Sequence, residues 1–344
     1  MGSLTNSEIP IVDCAIISDG EYSLSLKDSP EFKEFATSLG NGFCQMGLVY
    51  FINHGIEESI ITDCFTASKA FFELPASLKA PYTRLDQAHL RHGYAPPRGD
   101  FKEQLALAGN KMYLQSAYPS ETPQLFPAMT TFIGKATTLS KKILLALGLH
   151  FGLDDAEYLI KLHSDCFDDT GSRDSWADMK TRFYHAMTDD DLATIGPDHL
   201  RLPEHPDGDT LTFLVQDEAG GLEARNGAGV YIPVPHVPGA LVVNAGLSLE
   251  LWTGGRIPGV LHRVQLIKEK AKEIRQSLGY FLTANGDAEC DILVEQKPGW
   301  KWSDRLPVPG KKLEGFYLKE IQIIKERHYD KNDGSRSAMR YNRI

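Results

Sequence analysis

HPDGDTLTFLVQDEAGGLEA, residues 205–224, is the stretch on which the reading of this chain turns. After His205-Pro206-Asp207 comes an apolar, β-branched run over 210–216, and then a Gly220-Gly221 turn. A His and an Asp two residues apart on a strand point to one face, so both can reach a single ion. A second imidazole, His262, follows in Leu261-His262-Arg263-Val264, and Arg275-Gln276-Ser277 comes after it. Residues 202–282 therefore read as a barrel of short strands with a metal held at its mouth by His205, Asp207 and His262.

The His-x-Asp spacing is weak evidence on its own, because it occurs three times, at His163/Asp165, His205/Asp207 and His328/Asp330. His163 closes a helix-like run and His328 lies in a charged tail. Neither is followed by alternating β-branched residues that would hold it in a sheet. Only the His205 copy has strands behind it. Two imidazoles and one carboxylate leave coordination positions open, the arrangement found at non-haem Fe(II) sites.

The segments 205–224, 240–256 (ALVVNAGLSLELWTGGR), 261–264 (LHRV) and 275–277 (RQS) together resemble the isopenicillin N synthase-like branch of the Fe(II)/2-oxoglutarate-dependent dioxygenases. So do IPIVD, GFCQMGLVYFINHGI and FFELPASLKAPY near the N-terminus. The resemblance implies an α+β fold: a double-stranded β-helix (jelly-roll) barrel flanked by helices, with an N-terminal α/β region. It implies Fe(II) on His205, Asp207 and His262, O2 and 2-oxoglutarate as co-substrates, and ascorbate as a reductant. Arg275 and Ser277 would take the far carboxylate of 2-oxoglutarate, a guanidinium fork with a hydroxyl beside it on the same strand face. Tyr184 matches the family tyrosine that hydrogen-bonds the co-substrate. The chain divides into an N-terminal region (1–120), a helical buttress (121–173), the barrel (174–290) and a C-terminal strand, helix and tail (291–344).

Composition is consistent with that class. The chain has 344 residues, 42% of them hydrophobic, enough for a large core. Its net charge of −10, with no basic stretch interleaved with aromatics, argues against nucleic acid or an acidic membrane surface as partner. A small molecule is the expected partner, and oligomeric state is left open. Five scattered cysteines without a CxxC pair indicate neither a disulfide framework nor a zinc ribbon. No signal-like or membrane-spanning run appears, so the expected compartment is the cytoplasm.

Around the barrel, Ser29-Pro30-Glu31 starts a helix carrying Phe32, Phe35 and Leu39. Residues 42–53 read as strand, 57–72 as a long helix, 84–123 as loops with short strands, and 127–149 as a helix stopped at Gly148. A second helix is expected over 154–163 and a linker over 167–173. His54, beside a glycine at a strand end, reads as a turn residue rather than a ligand. A helical pattern over 310–327 either covers the barrel mouth or packs on the core.

The resemblance is imperfect at several points. Arg182 stands where the family has Asn, and Lys180, Arg182 and Tyr184 share a strand face. If Tyr184 points inward, two cations do too, and buried charge is costly unless paired. This motivates an acidic substrate (a carboxylate, phenol or enol), with an internal ion pair as the plain alternative. Leu247 replaces a family Asp, Gly208-Asp209 and Pro258-Gly259 are also unusual, and the imidazoles' second nitrogens need some other partner. The charged run 268–273 reads as a hairpin extension. The expected chemistry is hydroxylation, desaturation or ring rearrangement of a specialised metabolite. A 2-oxoglutarate-independent iron oxidase of the same fold, and a silent binding protein, remain alternatives.

Overall fold

The computed structural model describes residues 9–83, 93–97, 101–108, 120–167, 177–196, 199–285, 288 and 292–301. Its strands are β1 (Ile11–Asp13), β2 (Leu48–Ile52), β3 (Gly93–Ala95), β4 (Lys102–Ala108), β5 (Ala177–Tyr184), β6 (Leu200–His205), β7 (Leu211–Gln216), β8 (Leu222–Arg225), β9 (Tyr231–Pro233), β10 (Leu241–Ala245), β11 (His262–Gln265) and β12 (Arg275–Leu282). One sheet has the order β1-β2-β10-β7-β12-β5-β4-β3 and the other β6-β11-β8-β9. Pairing is antiparallel except between β1 and β2.

Two apolar layers follow from strand alternation, since every second side chain of a strand faces the same way. On one face of the larger sheet, Phe51, Phe213 and Tyr280 pack with Phe32, Phe43, Phe71, Phe132 and Ile143 of the helices. On the other, Leu48, Tyr50 and Val242 meet Leu222, Ala224 and Val264 of the smaller sheet. This is the expected two-sheet jelly roll with a helical flank. The site lies between the sheets, at the seam where the second layer gives way to polar residues.

The Pro30–Met46 helix opens as expected, with Pro30 in its first turn and the Ser29 hydroxyl accepting from Phe32 N. It then runs through residues read as strand. Phe43 and Met46 continue the buried stripe of Phe35 and Leu39 at helical spacing, so the strand begins only at Leu48. Gly47 ends the helix in the left-handed region at φ 72, where a Cβ would come 1.9 Å from the Pro258 carbonyl oxygen. Gly148 does not stop the Leu125–His150 helix; its missing Cβ lets the Ala156 carbonyl approach instead. The helix expected over 154–163 shrinks to Tyr158–Lys161.

Residues 268–273 do not extend a hairpin. β11 and β12 belong to different sheets, so this run is a crossover between them. Among the described residues, no helix is long and apolar enough to cross a membrane. The expected C-terminal helix, His328/Asp330 and residues 168–173 of the linker lie outside the described residues.

Candidate active site

His205 is the last residue of β6 and His262 the first of β11, and the two are register partners. Asp207 lies beyond the end of β6, so it does not reach the site by strand alternation. Pro206 has no N–H to continue the ladder, and the chain turns toward β7. There the Asp207 carbonyl accepts from Leu247 N at 2.9 Å. Its Oδ2 accepts from Thr212 Oγ1 at 2.7 Å and Asn244 Nδ2 at 2.9 Å. Thr212 and Asn244 are themselves opposed in the β7–β10 pairing, which aims both donors at one oxygen. One potential ligand atom from each of His205, Asp207 and His262 lies within 4.8 Å of the others, the one such group of three among the described residues.

The hydrogen bonds set the tautomers. Nδ1 of His205 donates to the Pro203 carbonyl at 2.7 Å, and Nδ1 of His262 to the Val260 carbonyl at 3.1 Å. A carbonyl only accepts, so Nδ1 carries a proton in both rings, and the neutral form of each ring keeps its lone pair on Nε2. Backbone carbonyls thus do what the sequence left open at Leu247, which is buried and gives no polar side-chain contact. Burial and the neighbouring His262 hold the His205 pKa below the ordinary imidazole range, against the opposing pull of Asp207. Burial pushes the Asp207 carboxyl up, but the imidazoles and the Asn244 and Thr212 hydrogen bonds outweigh it and keep the group below its usual range. The trio thus offers two imidazoles oriented through Nδ1 and one carboxylate.

Arg275, Ser277 and Tyr184 come together in the β12–β5 ladder. Arg275 is opposite Tyr184, and Ser277 is opposite Arg182 on one side and Gln216 on the other. Arg275 donates through Nε to the Gly220 carbonyl at 2.7 Å and through Nη2 to Gln216 Oε1 at 3.1 Å. Gln216 is held in turn by its Nε2 on the Val234 carbonyl at 2.7 Å. Nη1 of Arg275 is buried without a hydrogen-bond partner among the described residues. A guanidinium pinned at two nitrogens with the third left over is prepared for an anion.

At this His-Asp-His trio lies a cavity of about 30 Å³, lined by His205, Asp207, His262, Arg182 and Phe281, with Leu48, Leu214, Leu222 and Val242 as its apolar wall. That volume matches one ion or water. Arg182 therefore reaches the site, and among the described residues it has no ion pair. Lys180 is not among the lining residues; its Nζ lies 4.1 Å from the Phe281 ring centroid. Larger clefts, of about 530 and 450 Å³, lie elsewhere and include none of the trio.

His163, His54 and His185 have structural tasks. His163 is fully buried, with Nδ1 on the Leu159 carbonyl at 2.6 Å and Nε2 on Thr210 Oγ1 at 2.7 Å. His54 Nδ1 accepts from Ile56 N at 3.2 Å, and His185 meets Glu103 Oε1 at 2.7 Å. Asn244, Thr212, Gln216 and Phe281 were not singled out from sequence. They are ordinary strand residues there, and only the pairing of strands far apart in the chain carries them to the site.

Residues 176–284 match the 2OG-Fe(II) oxygenase superfamily, and residues 9–129 match the family described as non-haem dioxygenase in morphine synthesis N-terminal. The chain is 26% identical over 275 residues to leucoanthocyanidin dioxygenase of Perilla frutescens, covering 77% of this chain and 70% of that one. It is 25% identical over 310 residues to homoarginine-6-hydroxylase 2-ODD-C23 of Glycine max, covering 85% and 90%. Among solved structures, a full-length Neurospora crassa protein crystallised in complex with alpha-KG and 5-formyluracil is similar with a TM-score of 0.68 at 26% identity, covering 93% of this chain and 95% of that one.

Proposed function

We propose, from the premise that the chain belongs to the Fe(II)/2-oxoglutarate-dependent dioxygenases, that His205, Asp207 and His262 hold the iron and that Arg275, Ser277 and Tyr184 hold the far carboxylate of 2-oxoglutarate. The enzyme is an oxygenase acting on a small molecule. The observation that carries the residue assignment is that one ligand atom from each of His205, Asp207 and His262 lies within 4.8 Å of the others at one small cavity, with both Nδ1 groups committed to backbone carbonyls. This donor set fits Fe(II) and leaves positions open.

When bound, iron with 2-oxoglutarate and O2 supplies the oxidising power, 2-oxoglutarate being converted to succinate and CO2 while a substrate C–H bond is oxidised. The chain's own residues hold and orient. Thr212 and Asn244 fix the carboxylate, Gln216 and the Gly220 carbonyl aim Arg275, and the leucine and valine wall excludes water.

For the substrate, the reading is a small acidic or enolisable molecule of specialised metabolism, hydroxylated by default. Desaturation and ring rearrangement draw on the same oxidant. Arg182 and Phe281 support it, a cation and a flat ring on one cavity wall with no carboxylate among the described residues paired to the cation. The relative named for leucoanthocyanidin and the 5-formyluracil complex of the Neurospora crassa protein are in line with a small organic molecule as substrate.

The test is spectroscopic. Anaerobic protein given Fe(II) should develop a visible charge-transfer band only when 2-oxoglutarate is added, and Arg275→Gln should require far more 2-oxoglutarate for the same band. A band that ignores both would overturn the assignment.

A further inference from the structure

β6 sends two buried side chains toward the interior, His205 at its end and Arg201 four residues earlier. Arg201 is 6% exposed, and its one hydrogen bond among the described residues runs from Nη2 to the Ala271 carbonyl at 3.3 Å. Its Cζ lies 5.8 Å from the centroid of the Tyr184 ring, and the Cζ of Arg275 lies 4.9 Å from the same centroid. Two guanidiniums from different sheets thus converge on one buried tyrosine. Among the described residues neither has an ion pair, and Nη1 of Arg275 has no hydrogen bond.

Asp217 is the nearby countercharge, but its carboxylate accepts from the backbone amides of Ala219 and Gln276 rather than from either arginine. Burial and the Arg275 charge press the Arg201 pKa down, with Tyr184 and Asp217 tempering the effect. Like charges brought together away from water are costly unless an anion joins them. The metal cavity does not supply that anion, because Arg182 lines it and Arg201 does not.

We infer that Arg201 is a second guanidinium of the co-substrate pocket, so that the far carboxylate of 2-oxoglutarate is shared by Arg201 and Arg275 beside Tyr184. This rests on the reading of Arg275 given above. The consequence is selectivity: a 2-oxo acid ending in a carboxylate uses both arginines, and one ending in a methyl group uses neither.

Calorimetric titration of the anaerobic Fe(II)-loaded protein separates the possibilities, using 2-oxoglutarate and 2-oxopentanoate, which has the same 2-oxo acid end and ends in methyl. Arg201→Gln should weaken 2-oxoglutarate about tenfold or more, leave 2-oxopentanoate unchanged, and leave iron content unchanged. Arg201→Lys, which keeps the charge, should show a smaller loss with the same ligand dependence, and it carries the test if the Gln variant does not fold. Unchanged 2-oxoglutarate affinity, or equal loss for both ligands, overturns the inference and leaves Arg201 as a support for Ala271. Arg275→Gln is the control: if it weakens 2-oxoglutarate and the Arg201 variants do not, only this inference fails. If neither position matters, the reading of Arg275 fails with it.

Discussion

His205 and His262 stand opposite one another in the β6–β11 ladder with ring centroids 4.3 Å apart, and each turns its Nδ1 to the carbonyl two residues before it. The same local device, used twice, orients both rings at one cavity. Backbone atoms thereby orient both imidazoles, and no second carboxylate is required.

Removing any of the three donors should abolish iron binding. His205→Ala, Asp207→Ala and His262→Ala are expected to retain no stoichiometric iron. His163→Ala should retain it, because both nitrogens of His163 are engaged with Leu159 and Thr210. That variant should instead lose about 2–4 kcal/mol of stability from the cavity and the buried partners left behind. Iron content and denaturant midpoints on the four variants decide the assignment.

Arg275→Lys should weaken 2-oxoglutarate binding without displacing iron. Arg275 spends two nitrogens on Gly220 and Gln216, and an ammonium cannot hold both while presenting a planar edge to a carboxylate. A loss of about tenfold is expected from one charge-assisted hydrogen bond. Titration of the charge-transfer band measures it, with unchanged affinity pointing to another anchor.

Arg182→Met should reduce turnover of an acidic substrate and spare its neutral methyl ester or ether. Arg182 lines the cavity beside Phe281 and has no ion pair among the described residues. If both enzymes treat the acid and its neutral analogue alike, Arg182 is structural.

His163 should make stability fall with acid. Burial holds its pKa at about 4 in the folded protein, below the ordinary 6.5. Between those values the unfolded chain takes up the proton and the folded chain does not, so unfolding becomes easier as pH falls from about 6.5 toward about 4. The contribution is on the order of 3 kcal/mol. Comparing urea midpoints of wild type and His163→Gln across this range should show a shallower acid slope in the variant.

The two-sheet jelly roll was readable in sequence because strand alternation and turn glycines are local signals. The 211–216 strand and the Gly220-Gly221 turn appear where expected, with positive φ at both glycines. The helix through Gly42 was not, because a glycine that opens the apolar run 43–52 looks like the start of a strand until its neighbours in space are known. Its Cβ position lies 3.2 Å from Val49 and 3.4 Å from Val12, so the small residue serves close packing. The crossover at 268–273 was misread as a hairpin for a related reason: nothing within a loop states which sheet receives the next strand.

The chain alone singled out the proposed donors, since His205, Asp207, His262, Arg275 and Ser277 stand in an order and spacing that resembles the family's. What only the tertiary structure decided is how those donors are held. Asp207 takes its place from Thr212 and Asn244, Arg275 from Gln216 and Gly220, and the Tyr184 ring has both Arg275 and Arg201 close to it. The reason is range: face and period follow from neighbours along the chain, whereas these contacts depend on the register of strands tens of residues apart, which packing of the two sheets selects.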